Sequence, residues 1–308
     1  MMKPKKKMEE IKQNEDDSFL LFANGIELLV EPKFGGRVTS LVFEGKEVLS
    51  TREIEMPETQ TFGSVLWPSP QFAWGMWPPP YNLDMGVYSA VAEGDGIKLT
   101  SKIDTALSIQ FCKTLKISKE NDRIEILYEL YNRSEKEQQF GLWEVTRLPK
   151  GGVAFFPIGE PMPDSSLGRE EYENTWYLTA NPAPYFDDIS SIDGVFWEGV
   201  PEGNYFSPKI IADGTEGWCA YVRNGLVFIK QFENVTPSDF SPHQGEVEIY
   251  VDQKNNYVEL EEQSSYRTIP VGGSTSWEVN WYVKELPEGI DAKIGNTDLV
   301  EFVRSVIK

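Results

Sequence analysis

WCAYVRNGLVFIKQF, residues 218–232, carries the reading of the fold. Two apolar runs rich in β-branched and aromatic residues, 218–223 and 226–232, flank Asn224-Gly225. Asn-Gly accepts positive φ at both central positions of a two-residue turn, so the stretch predicts a type I′ β-hairpin. Working outward, Arg123–Asn132 alternates, with Ile124, Ile126, Tyr128 and Leu130 on one face. Trp277, Val279, Trp281 and Val283 line a face of another strand in the same way, and read as core. Further β-rich runs cover 26–31, 37–43, 47–50, 87–93, 97–103, 107–117, 247–251 and 257–261. Only 297–307 has helical spacing, behind an Asn296/Thr297 cap. Some fifteen strands with no βαβ rhythm predict an all-β protein: a large antiparallel β-sandwich with a short C-terminal helix.

Residues 1–17 read as a charged, mobile leader, and 18–308 as one β-domain, with a division near 150–200 as the alternative. The leader has a basic start but no apolar stretch behind it, so neither a signal peptide nor a membrane span is expected. That predicts a cytoplasmic protein by default, or an exported one if a signal was removed. The 308 residues hold 49 acids against 29 Lys and Arg, a formal charge of −20. Such a charge disfavours nucleic acid and anionic membranes as partners. One histidine, two cysteines and no CxxC spacing leave little for a metal site or a catalytic triad. No cofactor is expected, since neither a phosphate-binding loop nor a dinucleotide fingerprint is present. Cys112 and Cys219 read as buried thiols, with a disulfide between them as the other reading.

SVLWPSPQFAWGMWPPP, residues 64–80, packs three tryptophans, one phenylalanine and five prolines around the single amide of Gln71. That proline density predicts an irregular loop across 51–86. Rigid indole faces on such a loop suit the apolar side of a sugar ring. The alternative is that the tryptophans plug one end of the β-fold.

GGRVTSLVFEGKEVL, residues 35–49, is similar to the opening strands of aldose 1-epimerases. WPSPQ, WPPP, GLWEVTRLP (141–149), YVELEEQ (257–263) and PVGGSTSWEVNW (270–281) resemble a less characterised branch, the DUF4380 family of galactose-mutarotase-like proteins. The resemblance runs from about Gly25 to Val283 and implies a β-supersandwich with a mono- or oligosaccharide in an open concave groove. It also implies aldose 1-epimerase-like chemistry, in which a base takes the anomeric hydroxyl proton and an acid protonates the ring oxygen. Glu259 matches the place of the base, ahead of the turn at Gly272. Glu261 shares its strand face two residues on, so a slip of one pair would make it the base instead, and a solvated strand face is the other reading of both. The family's catalytic histidines have no counterpart, because His243 stands at neither of their places. An anomer-converting enzyme and a carbohydrate-binding module without catalysis are therefore both consistent with the chain.

The expected groove residues are Arg37, Trp67, Gln71, Trp77, Trp143, Arg147, Lys209 and Lys230. Trp67, Trp77 and Trp143 would stack on sugar, while Trp74 fits either groove or core. Arg147 offers a fork for hydroxyls or a carboxylate. Arg37 follows two glycines and points either into the groove or to a surface carboxylate. Lys209 resembles a family lysine. Lys230 interrupts the apolar stripe of Leu226, Phe228 and Phe232, so it must reach a carboxylate, a carbonyl or solvent in a cleft.

Overall fold

The computed structural model describes residues 10–52, 61–75, 78–118, 120, 122–159, 170–172, 176–179, 189–200, 209–252 and 257–308. Two antiparallel sheets face each other. The centre of the larger runs Ile26–Glu31, Arg37–Phe43, Ser64–Ser69, Gln138–Pro149, Tyr257–Gln263, Val247–Val251, Lys209–Ala212. The centre of the smaller runs Gly152–Pro157, Trp218–Arg223, Leu226–Phe232, Ser274–Glu285, Arg123–Asn132, Ile109–Ile117. The sheets are mostly β as read, and the strands beyond the expected fifteen are mainly short ones.

Period-two alternation sets what each face does. Leu142, Leu148, Leu260 and Ile249 of the larger sheet meet Ile126, Leu130, Phe228 and Trp281 of the smaller in one buried layer. The far face of the smaller sheet buries Val227, Ile229 and Tyr282 under Leu299, Val300 and Val303 of the C-terminal helix Thr297–Val306. Asn296 Oδ1 caps that helix by accepting from Asp298 N at 3.1 Å.

The hairpin forms as read: Asn224 and Gly225 take φ of 49° and 74° between paired strands. A methyl group at Gly225 would meet nothing within 4 Å, so only backbone strain opposes Gly225→Ala. We expect that substitution to lower stability by about 1 kcal/mol, read as a shifted urea midpoint. An unchanged midpoint would contradict the positive φ.

Cys112 and Cys219 are buried, free thiols, as read. Two expectations need correction. Residues 10–13, read as leader, form an edge strand paired with Phe19–Ala23. Ser64–Ser69, read as loop, is a strand between Arg37–Phe43 and Gln138–Pro149. Its neighbour Arg37–Phe43 pairs with it only at Val38↔Ser64. Gly63 O accepts from Arg147 N, so alternate backbone groups from there aim at Gln138–Pro149. The donorless nitrogen of Pro68 then faces the side its neighbour has left, where no ladder bond is lost. Among the described residues, the rest of the predicted loop holds a turn of 3₁₀ helix at Gln71–Trp74 and one helical turn at Tyr81–Asp84, while 53–60 and 76–77 lie outside them.

Candidate functional site

The strand Tyr257–Gln263 sends Val258, Leu260 and Glu262 toward the smaller sheet, and Tyr257, Glu259, Glu261 and Gln263 to the outer face. Arg147 lies opposite Glu259 on one neighbour, with Val145 opposite Glu261 and Trp143 opposite Gln263. On the other neighbour Glu248 lies opposite Glu261, and Tyr250 opposite Glu259. Lys209 faces Tyr250 from the next strand. Strand register therefore sets a row of charges across four strands of one sheet face.

Arg147 Nη2 stands 2.8 Å from Glu259 Oε1, with the guanidinium 5.5 Å from the Trp67 ring and 5.7 Å from that of Tyr257. Arg147 is 1% exposed, and its Nε and Nη1 have no hydrogen-bond partner. Lys209 Nζ sits 2.5 Å from Glu248 Oε2 and 2.9 Å from Glu261 Oε2, above the Trp143 ring. Trp143 Nε1 donates to the same Glu261 Oε2 at 2.8 Å, while Glu261 Oε1 is buried and unpartnered. Gln263 donates from Nε2 to Glu248 Oε1 (2.9 Å) and accepts from Ser69 Oγ (2.5 Å).

At the other end of the row Arg37 donates from Nη2 to Asp84 Oδ1 at 2.9 Å, and Trp67 donates from Nε1 to the same oxygen at 2.8 Å. Gly35 allows this approach: a Cβ there would lie 1.9 Å from the Asp84 carbonyl oxygen.

Burial pushes the Glu261 carboxyl up to about 8, with Glu259 and Glu248 adding to the shift and Lys209 opposing it. Burial also works against the Lys209 ammonium, but Glu248 and Glu261 outweigh it and hold its pKa high. Burial lowers Arg37 to about 10 despite Asp84.

The sequence-predicted residues divide in place. Arg37, Trp67, Trp143, Arg147, Lys209 and Glu259 all belong to this face. Trp67 and Trp143 are corrected as open stacking platforms: they are 4% and 2% exposed, because their rings pack edge to face at 5.3 Å. Trp74 is half-buried and donates to Pro68 O. Gln71 is exposed on the 3₁₀ turn, apart from this hydrogen-bonded row, and Trp77 lies outside the described residues. His243 is exposed and packs its ring edgewise on that of Phe72.

Lys230 is corrected as a groove residue. It points between the sheets, with Nζ 2.7 Å from Glu144 Oε1 and 2.6 Å from Glu262 Oε2, all three side chains fully buried. Glu248, Asp84 and Gln263 were not anticipated. The alternation in VEIYV places Glu248 beside Tyr250 on a face opposite three apolar residues, which was the available signal. Among the described residues no cluster of His, Cys, Asp and Glu has metal-site geometry. No described helix is long and apolar enough to cross a membrane.

Comparison with known structures identifies the fold. A galactose mutarotase-like protein from Clostridium acetobutylicum superposes with a TM-score of 0.55 at 13% identity, covering 90% of this chain and 98% of that one. A second, from Lactobacillus casei, gives 0.55 at 10% identity over 87% and 100%. An Escherichia coli protein provisionally named an aldose 1-epimerase gives 0.61 at 12% identity over 87% and 99%. At these identities the likeness is one of fold. No curated protein matches the sequence. The sequence matches the DUF4380 family, described as a domain of unknown function, over residues 62–284. The chain thus belongs to the DUF4380 family and has a galactose-mutarotase-like β-sandwich fold.

Proposed function

We propose that the outer face of the larger sheet recognises a carbohydrate and interconverts its anomers, with Glu259 as the base that takes the anomeric hydroxyl proton. The observation that carries this reading is the Arg147–Glu259 pair. Glu259 is 7% exposed, so it reaches the surface, and it is oriented by a single contact to Nη2. Arg147 keeps Nε and Nη1 without partners although it is almost wholly buried. Unmet buried donors are costly, and the hydroxyls and ring oxygen of a sugar would satisfy them. The mutarotase-like fold supports the same assignment, as do aromatic rings on both sides of the guanidinium.

A second reading, sugar binding without turnover, draws on the sequence: its only histidine, His243, packs on Phe72 at an exposed turn. Exchange NMR on a panel of neutral and acidic aldoses separates the two. We expect anomer exchange faster than in buffer, reduced on the order of 100-fold or more in Glu259→Gln. Glutamine keeps an acceptor oxygen for Arg147, so saturation transfer from bound sugar should persist in the variant. Saturation transfer without faster exchange in the native protein would favour the binding module, and no response to any sugar would remove both readings.

A further inference from the structure

Ring opening needs an acid as well as a base, and none of the described groups on this face is a histidine. Register and charge balance point to another group. Three carboxyls, Glu248, Glu259 and Glu261, share this part of the face with two cations, Arg147 and Lys209, while Arg37 and Asp84 pair with each other at the far end. Arg147 is committed to Glu259, and Lys209 is divided between Glu248 and Glu261. With one negative charge in excess in a buried cluster, binding a proton is the less costly solution. Glu261 is the member flanked by both other carboxyls. Glu259 is two residues along its own strand, and Glu248 is its register partner on the next. Tyr250, the register partner of Glu259 and of Lys209, is a further ionisable group on the same face.

The two oxygens of Glu261 are in different states. Oε2 accepts from Trp143 Nε1 and Lys209 Nζ, while Oε1 has no partner and is buried. An unpartnered buried carboxyl oxygen is costly as an anion and is where a proton resides. Its neighbours that reach solvent are Lys209, with 20% of its side chain exposed, and Glu259. Both stand beside the same carboxyl. Residues two apart on a strand are separated by roughly 7 Å, close enough for two carboxyls to reach the two oxygens on one anomeric carbon.

We infer that Glu261 is the general acid of this site, giving the proton on Oε1 to the ring oxygen while Glu259 takes the proton of the anomeric hydroxyl. The inference rests on the anomer-exchange reading. The C1–O bond of the ring breaks as the C1 carbonyl forms, and C1 then rotates about its bond to C2. On reclosure Glu261 recovers its proton from the sugar hydroxyl as that oxygen attacks C1. Glu259 returns its proton to the new anomeric oxygen, so no net proton, electron or co-reactant is consumed. A carboxyl whose pKa is about 8 is in the acid form at neutral pH and suits this role.

Exchange NMR across pH 5–10 on the native protein, Glu261→Gln and Lys209→Gln tests the assignment. The native rate should fall above about pH 8, where Glu261 loses its proton. Glu261→Gln should lower exchange on the order of 100-fold or more, with saturation transfer retained. Lys209→Gln removes the cation that favours ionised Glu261, so the alkaline limb should move to higher pH, which a purely structural role for Glu261 would not produce. If Glu261→Gln fails to fold, the position of that limb decides: unmoved in Lys209→Gln, it overturns the assignment. A folded Glu261→Gln with native exchange and an unchanged limb overturns this assignment alone. A native protein with no exchange on any sugar overturns the anomer-exchange reading and this assignment with it.

Discussion

Lys230→Met is expected to destabilise the protein by about 3–5 kcal/mol, the magnitude seen when one partner of a buried ion pair is removed. Lys230 rises from the smaller sheet and ends among groups of the larger. Its Nζ contacts Glu144, Glu262, Thr146 Oγ1 (2.9 Å) and the Leu260 carbonyl (3.1 Å). Trp281 Nε1 and the Tyr128 hydroxyl also donate to Glu144. Burial raises Glu262 well above the ordinary carboxylate range, with Lys230 opposing and Glu144 adding to it. Burial works to raise Glu144 too, but Lys230 and the hydrogen bonds to it prevail and hold it low. Methionine fills the volume of the lysine stem and supplies no charge, so the Glu144 carboxylate would be left buried without a cation. Urea unfolding followed by tryptophan fluorescence measures the loss. The double variant Lys230→Met, Glu144→Gln should recover part of it, because it removes the stranded charge. A loss below about 1 kcal/mol in the single variant would mean that Lys230 does not compensate these carboxyls.

The same residue shows how far the chain could be read. Alternation was enough to put Lys230 on the face of Leu226, Phe228 and Phe232, and that face is the inter-sheet layer. Its partners were not legible, because Glu144 and Glu262 come from strands of the opposite sheet, and pairing across a sandwich leaves no local periodicity. Consecutive Glu261 and Glu262 show the limit from the other side. One strand divides them between the outer site and the interior, and which is which depends on the register of that strand. Local signals did well where the physics is local, at the Asn224-Gly225 turn and the Asn296 cap. Residues 64–69 were misread because proline was weighed as a breaker in general. The cost of Pro68 depends on which edge its nitrogen faces, and that is a property of the neighbouring strands. The tryptophans were misread for a related reason. Composition marked Trp67 and Trp143 as unusual, but only their cross-strand pairing turns each ring into the other's cover.

Stability should fall from about pH 5 to pH 7.5 and then level off, instead of showing the broad neutral maximum common in proteins. Burial raises Glu246 to about 8, against N–H bonds from Val235 and Gly214, and raises Glu261 to about 8. Unfolded glutamates titrate near 4.3. Between about pH 4.5 and 8 the folded state therefore binds more protons than the unfolded chain, and stability falls as pH rises, by up to roughly 4 kcal/mol for each group. Lys113 acts with the opposite sign. Burial lowers it to about 7, helped by Arg37 and opposed by Asp84 and Glu144, while its Nζ donates to the Gly35 and Gly36 carbonyls. Its unfolded value is near 10.4, so above pH 7 the unfolded chain holds the extra proton, which offsets the proton that burial keeps on Glu262 in the fold. Lys209 and Lys230 have raised values and lose their contribution only above the ordinary lysine range, outside the window from pH 4.5 to 9. Urea midpoints across that window should fall from about pH 5 to pH 7.5 and level off toward pH 9. Glu246→Gln cannot accept from both Val235 and Gly214, so its midpoints drop throughout while the falling limb flattens by one group's share. Lys113→Met should leave the limb below pH 7 as it is and let the decline continue toward pH 9. Midpoints that climb steadily from pH 5 to 7.5 in the native protein would show that these buried carboxyls are ionised in the fold, and the proton balance around Glu261 would then have to be redrawn.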